Sequence, residues 1–324
     1  MKKNNIYLAT KLYSFFDRKT SVIMYNSILN SKKFRNDEIY LPFKDSNMKV
    51  STDGNVAKNI FEADINSLNN TDIFITRLDG MSYDAGVGFE IGYCLAKSVP
   101  LYIFNTDFYK NKLLSNIEYK LSPIIDKIAN VFKYEYINDS KLEYEDELDF
   151  NINLFSKFVY EKINNTKEKI YEYTDGDEKF DVFIDLLGMK YEWNKIIIDK
   201  ITKILDENSI TYWISNRYLS GYSVDIDLKN LKNSKIYLTC YDENEPDIDS
   251  AILQGFAYYN KLNIIGYESN PVKYYVEGKQ EFGVTLMLEQ SCSTLTKSID
   301  KSIKAIINNI KHNWYHNGIY FNVI

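Results

Sequence analysis

Short apolar runs alternate with amphipathic stretches through the first hundred residues. The run Ile6-Tyr7-Leu8-Ala9 predicts a first strand, and apolar positions at helical spacing predict a helix near 20–31. A strand over 38–43, a helix over 56–69, a strand over 72–77, a helix over 89–97 and a strand over 99–104 follow. Asp72-Ile-Phe-Ile-Thr76 is apolar and β-branched, as a strand covered on both faces should be. Such alternation is the pattern of an α/β domain with a parallel sheet. After Asp107, Ile117–Val131 reads as helical around Pro123, Lys133–Ile137 as a short strand, and Asp146–Lys167 as a closing helix. The polar stretches Asn164–Lys169 and Tyr173–Lys179 read as a linker, which sets the expected domains at 1–170 and 178–324.

Beyond the linker the pattern begins again, with a strand at Phe180–Leu187, a long helix to about Asp206 and Ile210–Ile214. An ungapped shift of 163 lays Phe61–Phe104 on Val224–Tyr267 with eight identities in 44 positions. Asp64 meets Asp227, Asp79 meets Asp242, Asp84 meets Asp247 and Gly92 meets Gly255. The flanking polarity is kept as well, and an internal duplication is the expected origin. The expected fold is therefore α/β: two tandem flavodoxin/Rossmann-like parallel-sheet domains. In the same register Leu253 lies opposite Glu90, and Asp249-Ser250-Ala251 opposite Gly86-Val87-Gly88, so the second unit is expected to be non-catalytic.

The chemistry concentrates in Asp79-Gly-Met-Ser-Tyr-Asp-Ala-Gly-Val-Gly-Phe-Glu-Ile-Gly-Tyr-Cys94, which follows the third strand. Gly86 and Gly88 suit a tight turn before a helix beginning at Phe89, with Glu90 near its N-terminus. In open α/β sheets ligands bind beyond the carboxyl ends of the strands, and a helix start favours an ionised carboxylate. From spacing alone Glu90 is equally a solvated first-turn glutamate, Asp84 a loop cap, Asp64 an exposed helix residue and Tyr7 a core tyrosine. A carboxylate below an anomeric carbon can stabilise an oxocarbenium-like state and form a glycosyl ester while a second acid protonates the leaving group.

The run Asp84-Ala-Gly-Val-Gly-Phe-Glu90-Ile-Gly92, with Ile6–Ala9, Tyr40-Leu-Pro42 and Ala63-Asp64-Ile65-Asn66 upstream, resembles the nucleoside 2-deoxyribosyltransferases over the first half of the chain. The resemblance implies Glu90 as nucleophile at C1' of a 2'-deoxynucleoside, and Asp64 and Asp84 as base-facing carboxylates. It also implies substrate contacts from Tyr7, Ala9 and, with a one-residue shift, Asn116. No metal or organic cofactor is implied; the partners are a 2'-deoxynucleoside and a free nucleobase. Family members of one domain assemble with residues of one subunit completing a neighbour's site, so the duplicated half is expected to form an intramolecular pseudo-dimer. Thr10-Lys11-Leu12 departs from the family's glycine-containing loop after the first strand. Alternatives are an N-glycoside hydrolase of deoxynucleosides or their 5'-monophosphates, with Thr10, Lys11 and Ser115 as phosphate contacts, and a non-enzymatic nucleotide sensor.

Composition narrows this further. With 324 residues, 45% hydrophobic and 26% charged, the chain can fill two ordinary cores. A net charge of −6 argues against a nucleic-acid surface. With no long apolar run, neither membrane span nor signal peptide is expected, and the cytoplasm is the expected location. Cys94, Cys240 and Cys292 are widely spaced, which indicates neither disulfides nor zinc. His312 and His316 have i, i+4 spacing but no third ligand, so a surface helix end is expected there. The aromatic tail 314–324 reads as a packing surface for a domain or for a second copy of the chain.

Overall fold

The structure is a computed structural model. It describes residues 3–12, 14–30, 34, 37–45, 56–80, 83–107, 110–112, 118–134, 144–164, 171–172, 179–187, 191–217, 221–242, 246–269, 274–275, 281–282 and 284–312. In the first half the order is β1 (Asn5–Ala9), α1 (Phe15–Asn30), β2 (Glu38–Tyr40), α2 (Pro42–Asp45), α3 (Val56–Asn69), β3 (Ile73–Arg77), α4 (Ala85–Ala96) and β4 (Leu101–Asn105). A two-residue ribbon follows, β5 (Asn111–Lys112) with β6 (Glu118–Tyr119), then α5 (Pro123–Ile128), β7 (Asn130–Lys133) and α6 (Tyr144–Asn164). The second half runs β8 (Phe180–Asp185), α7 (Tyr191–Glu207), β9 (Tyr212–Ile214), α8 (Val224–Lys232), β10 (Ser234–Tyr241), α9 (Ile248–Tyr259) and β11 (Asn263–Glu268). It continues with a ribbon of β12 (Tyr274–Tyr275) and β13 (Glu281–Phe282), then α10 (Leu286–Ser291), β14 (Thr294–Thr296) and α11 (Ile299–His312).

Each half builds one five-stranded parallel sheet, ordered β2-β1-β3-β4-β7 in the first and β9-β8-β10-β11-β14 in the second. The expected α/β fold with two tandem parallel sheets is observed, and both sheets reverse direction beside their first strand, where such folds open a crevice. Several elements differ from the sequence expectation, three of them through proline or strand pairing. The strand expected over 38–43 stops at Tyr40, because Pro42 has no N–H for a ladder and starts α2 instead. The helix expected over 117–131 shrinks to α5, with Ser122 as N-cap and Pro123 in its first turn. Asn130–Lys133 pairs with β4 as the fifth strand, earlier than the expected 133–137.

Outer faces of the sheets carry separate cores. Ile6, Leu8, Ile75 and Phe104 pack with Met24, Ile28, Ile152 and Phe155 of α1 and α6; Val182, Ile184 and Leu238 pack with Ile201, Leu205 and Ile303 of α7 and α11. The inner faces share one core, in which Phe61, Phe89 and Leu95 meet Leu253, Phe256 and Leu288. Its centre is the crossing of α4 and α9. A Cβ on Gly92 would fall 1.8 Å from the Ile252 carbonyl oxygen, and a Cβ on Gly255 would fall 1.9 Å from that of Phe89. The contact is reciprocal at a spacing of 163, since Phe89 and Ile252 are paired by the same shift as Gly92 and Gly255. Both helices also end alike, with Ser98 at φ 61° and Lys261 at φ 63°.

At either glycine, alanine must push two helix backbones apart inside a shared core. Gly92→Ala and Gly255→Ala are each expected to cost at least about 2 kcal/mol, as overpacking of a tight core does. Urea unfolding measures this, and an unchanged midpoint would contradict the close crossing.

Candidate active site

The site lies beyond the carboxyl ends of β1 and β3, where α3 and α4 face each other. Helix α4 begins at Ala85, four residues earlier than expected, so Gly86 and Gly88 belong to the helix rather than to a turn before it. The reason is Asp84, whose Oδ1 accepts the Val87 N–H at 3.1 Å and caps the first turn. The glycines serve close packing instead. Glu90 consequently stands in the second turn, and all twelve residues of α4 are buried.

Tyr7, within β1, donates its hydroxyl to Glu90 Oε1 at 2.7 Å. Tyr40, beside it on β2, donates to Asp64 Oδ1 at 2.9 Å. Two tyrosines on neighbouring strands thus each hold one carboxylate, one from α4 and one from α3. Burial raises the pKa of Asp64 to about 7, against the Tyr40 hydrogen bond that lowers it. Glu90 is also raised, first by burial and then by the negative charge of Asp64, while the Tyr7 hydrogen bond works the other way. Asp84 is raised by burial too, offset by the Val87 and Gly86 N–H groups and by the positive charge of Lys11. Three carboxyls therefore share a water-poor space that raises the pKa of each.

The structure brings Tyr7, Asp64 and Glu90 together, with Asp84 at the helix start and Ala9 buried where β1 ends. Asn116 and Ser115 lie outside the described residues, as do His316 and the aromatic tail. Asp79 is a strand-end anchor, accepting from the Thr106 hydroxyl at 2.6 Å and lying 3.3 Å from Arg77 Nε. The three cysteines are free and buried. Among the described residues no cluster of three or more His, Cys, Asp or Glu could hold a metal, and no helix is long and apolar enough to cross a membrane.

Sequence reasoning missed Thr285 and Met287, which the second half delivers to this site. A Cβ on Gly86 would lie 3.5 Å from Thr285 Oγ1 and 3.7 Å from Met287 Cγ. Thr285 is the N-cap position of α10 without making a cap hydrogen bond, and its buried hydroxyl has no partner among the described residues. Carrying the 163 shift onward pairs Ser122, the N-cap of α5, with Thr285; that was the available signal.

Residues 6–151 match the family model described as Nucleoside 2-deoxyribosyltransferase. The N-terminal half belongs to the nucleoside 2-deoxyribosyltransferase family. No curated protein matches the chain. Among solved structures, a conserved protein from Enterococcus faecalis V583 is 28% identical over 33% of this chain and 66% of its own, just under two thirds, with a TM-score of 0.31. A 2-deoxyribosyltransferase from Bacillus psychrosaccharolyticus is 16% identical over 44% of this chain and 95% of its own, with a TM-score of 0.30. An α1,3-fucosyltransferase aligns over 99% of this chain and 82% of its own at 14% identity and a TM-score of 0.29. Scores of this size carry no weight for fold or function, and the family assignment rests on the family match. In the nucleoside 2-deoxyribosyltransferase half, the matched segment contains Tyr7, Asp64, Asp84 and Glu90.

Raised carboxyl pKa values make a signed prediction. Asp64 binds its proton more tightly when folded, so the stability linked to that proton is present below about pH 4, its unfolded range, and is lost as pH rises through about 7. Asp64→Asn, which keeps the acceptor for Tyr40, should gain in urea midpoint over the unaltered protein as pH rises from 4 to 8. Equal midpoints at both pH values would show that Asp64 is not buried as described.

Proposed function

We propose that the chain transfers 2-deoxyribose between nucleobases, with Glu90 as the attacking carboxylate. The observation that carries this reading is the buried Glu90 carboxyl, held by the Tyr7 hydroxyl at 2.7 Å and electrostatically tied to Asp64, inside the segment that matches the family. Glu90 attacks C1' of a 2'-deoxynucleoside, and the N-glycosidic electron pair leaves with the base. The base takes a proton from Asp64 or Asp84. A deoxyribosyl ester on Glu90 results; a second base reverses the steps and retains the configuration at C1'. Of the two carboxyls, Asp64 suits the proton donor, since burial keeps its proton to about pH 7. Asp84 already spends one oxygen on the Val87 N–H and is placed to anchor the base.

Residues 1–170 form the catalytic unit in this reading, and 178–324 a degenerate copy that supports it. The reciprocal glycine crossing and the shared strand order support that origin. Trp213, the β9 counterpart of Tyr40 by sheet register, donates to Asp227 Oδ1 at 2.8 Å, as Tyr40 does to Asp64. Leu253 in place of Glu90 leaves that copy without a nucleophile. The Thr285 hydroxyl, with no protein partner among the described residues, is available to substrate from across the interface.

Chromatography of thymidine or deoxyinosine incubated with a different free base tests the reaction. A new 2'-deoxynucleoside is the expected product, and Glu90→Gln should lower its formation by at least about 10³-fold. Free base with free deoxyribose alone would make the protein a hydrolase, and no turnover of any nucleoside or 5'-monophosphate would leave a binding role. Asp64→Asn cannot hand a proton to the leaving base, so kcat/KM should fall at least about 10²-fold and lose its basic limb near pH 7; an unchanged basic limb would place the proton donor elsewhere. Thr285→Val keeps shape and is expected to lower kcat/KM about tenfold, the worth of one good hydrogen bond, at unchanged Tm. A Tm drop with unchanged kcat/KM would make Thr285 a packing residue.

A further inference from the structure

The two halves differ most at the crevice. In the first half it runs between Ala9, at the end of β1, and the helix cap Asp84. Sheet register makes Asp185 the counterpart of Ala9, since Ala9 pairs with Thr76 and Asp185 with Thr239. Asp247 is the counterpart of Asp84 and caps α9 through the Ser250 N–H at 2.9 Å. Arg217 lies between these two aspartates. Its Nη1 is 3.0 Å from Asp185 Oδ2, and its Nη2 donates to Asp247 Oδ2 at 2.9 Å and to Ser250 Oγ at 2.7 Å. The arginine side chain is 0% exposed.

Two more replacements crowd the same space. Asp249 stands at the position of Gly86, and its Oδ1 accepts the Ser122 hydroxyl from the first half. Tyr237 stands at the position of Phe74 and donates to Asp185 Oδ2 at 2.7 Å. Hence where the first half has the small residues Gly86 and Ala9, the second has a carboxylate from α9 and a carboxylate from β8, with a guanidinium that bridges strand end and helix start. A buried guanidinium persists only when its planar donors meet fixed acceptors, and Asp185, Asp247 and Ser250 provide them.

We infer that the C-terminal half carries a sealed pocket, in which Arg217, Asp185 and Asp249 occupy the space that the N-terminal half leaves for a nucleoside. Each chain then offers one nucleoside site, and its second half holds no regulatory nucleoside. The word nucleoside rests on the proposed function; the seal itself rests on the Arg217 contacts.

Two measurements keep the seal and the nucleoside reading apart. The unaltered protein is treated with p-hydroxyphenylglyoxal and mapped by mass spectrometry. Exposed Arg18 is expected to react and Arg217 to stay unmodified; modification of Arg217 at the rate of Arg18 would overturn the seal. In equilibrium dialysis with labelled thymidine and deoxyinosine, Glu90→Ala is expected to bind one nucleoside per chain without turnover. Adding Asp185→Ala, Arg217→Ala and Asp249→Gly restores the small residues of the first half, removes both charges of the ion pair together and should raise the stoichiometry to two. Two per chain with Arg217 in place, or one per chain in a folded quadruple variant, would overturn the inference. No binding while Arg217 remains protected would count against the nucleoside reading and leave the seal standing.

Discussion

Two helices that touch backbone to backbone set the geometry of everything else. At the α4–α9 crossing neither Gly92 nor Gly255 has room for a methyl group, because the carbonyl of the opposite helix takes that space. A crossing this tight fixes both the separation and the rotation of the helices. Helix α4 is thereby sealed on every side, and its one ionisable carboxyl, Glu90, is carried away from water. The aromatic packing of Phe61, Phe89 and Tyr93 against Tyr258 fills the same interface, with ring centroids 5.5–6.3 Å apart. The two halves are consequently one cooperative core, and the site-bearing helix runs through its middle.

Burial of that kind forces a choice on every ionisable group, which must be paired or hold its proton. The halves choose differently. In the first, Asp64 and Glu90 have tyrosine hydroxyls and, among the described residues, no arginine within ion-pair distance, and burial raises their pKa values. In the second, Arg217 pairs with Asp185 and Asp247, while burial raises Asp227 and Asp249 as it raises Asp64 and Glu90. The Ser122–Asp249 bond joins the second half's helix start to the first half, and the Thr285 hydroxyl beside Gly86 is its counterpart in the first half.

Much of this was legible along the chain. Buried parallel strands announce themselves as apolar, β-branched runs, and β3 lies within one residue of its expected bounds. Helix α3 matches its expected bounds. The Asp64–Glu90 carboxylates were readable through the family pattern, since a glycine-rich step ending in a glutamate at a fixed place after the third strand is a local feature. Where expectation and structure part, a local rule met a competing one. The glycines at 86 and 88 suggested a turn, and the Asp84 cap extended the helix over them. Alternating polarity could not tell that Asn130–Lys133 would pair beside β4, because an edge strand of intermediate burial has a weak apolar signature.

The sequence by itself determined the α/β class, the eight identities at a spacing of 163 and the candidate carboxylates, because strand burial, helix spacing and motif chemistry are encoded within short windows. Only the tertiary structure decided that Tyr7 and Tyr40 each hold one carboxylate, that Thr285 and Met287 arrive from the other half, and that Arg217 fills the second crevice. These residues stand 24 to 201 positions from their partners, and what joins them is the pairing of strands and the crossing of two helices. Hydrogen-bond reach is a property of folded distance, on which separation along the chain has no bearing.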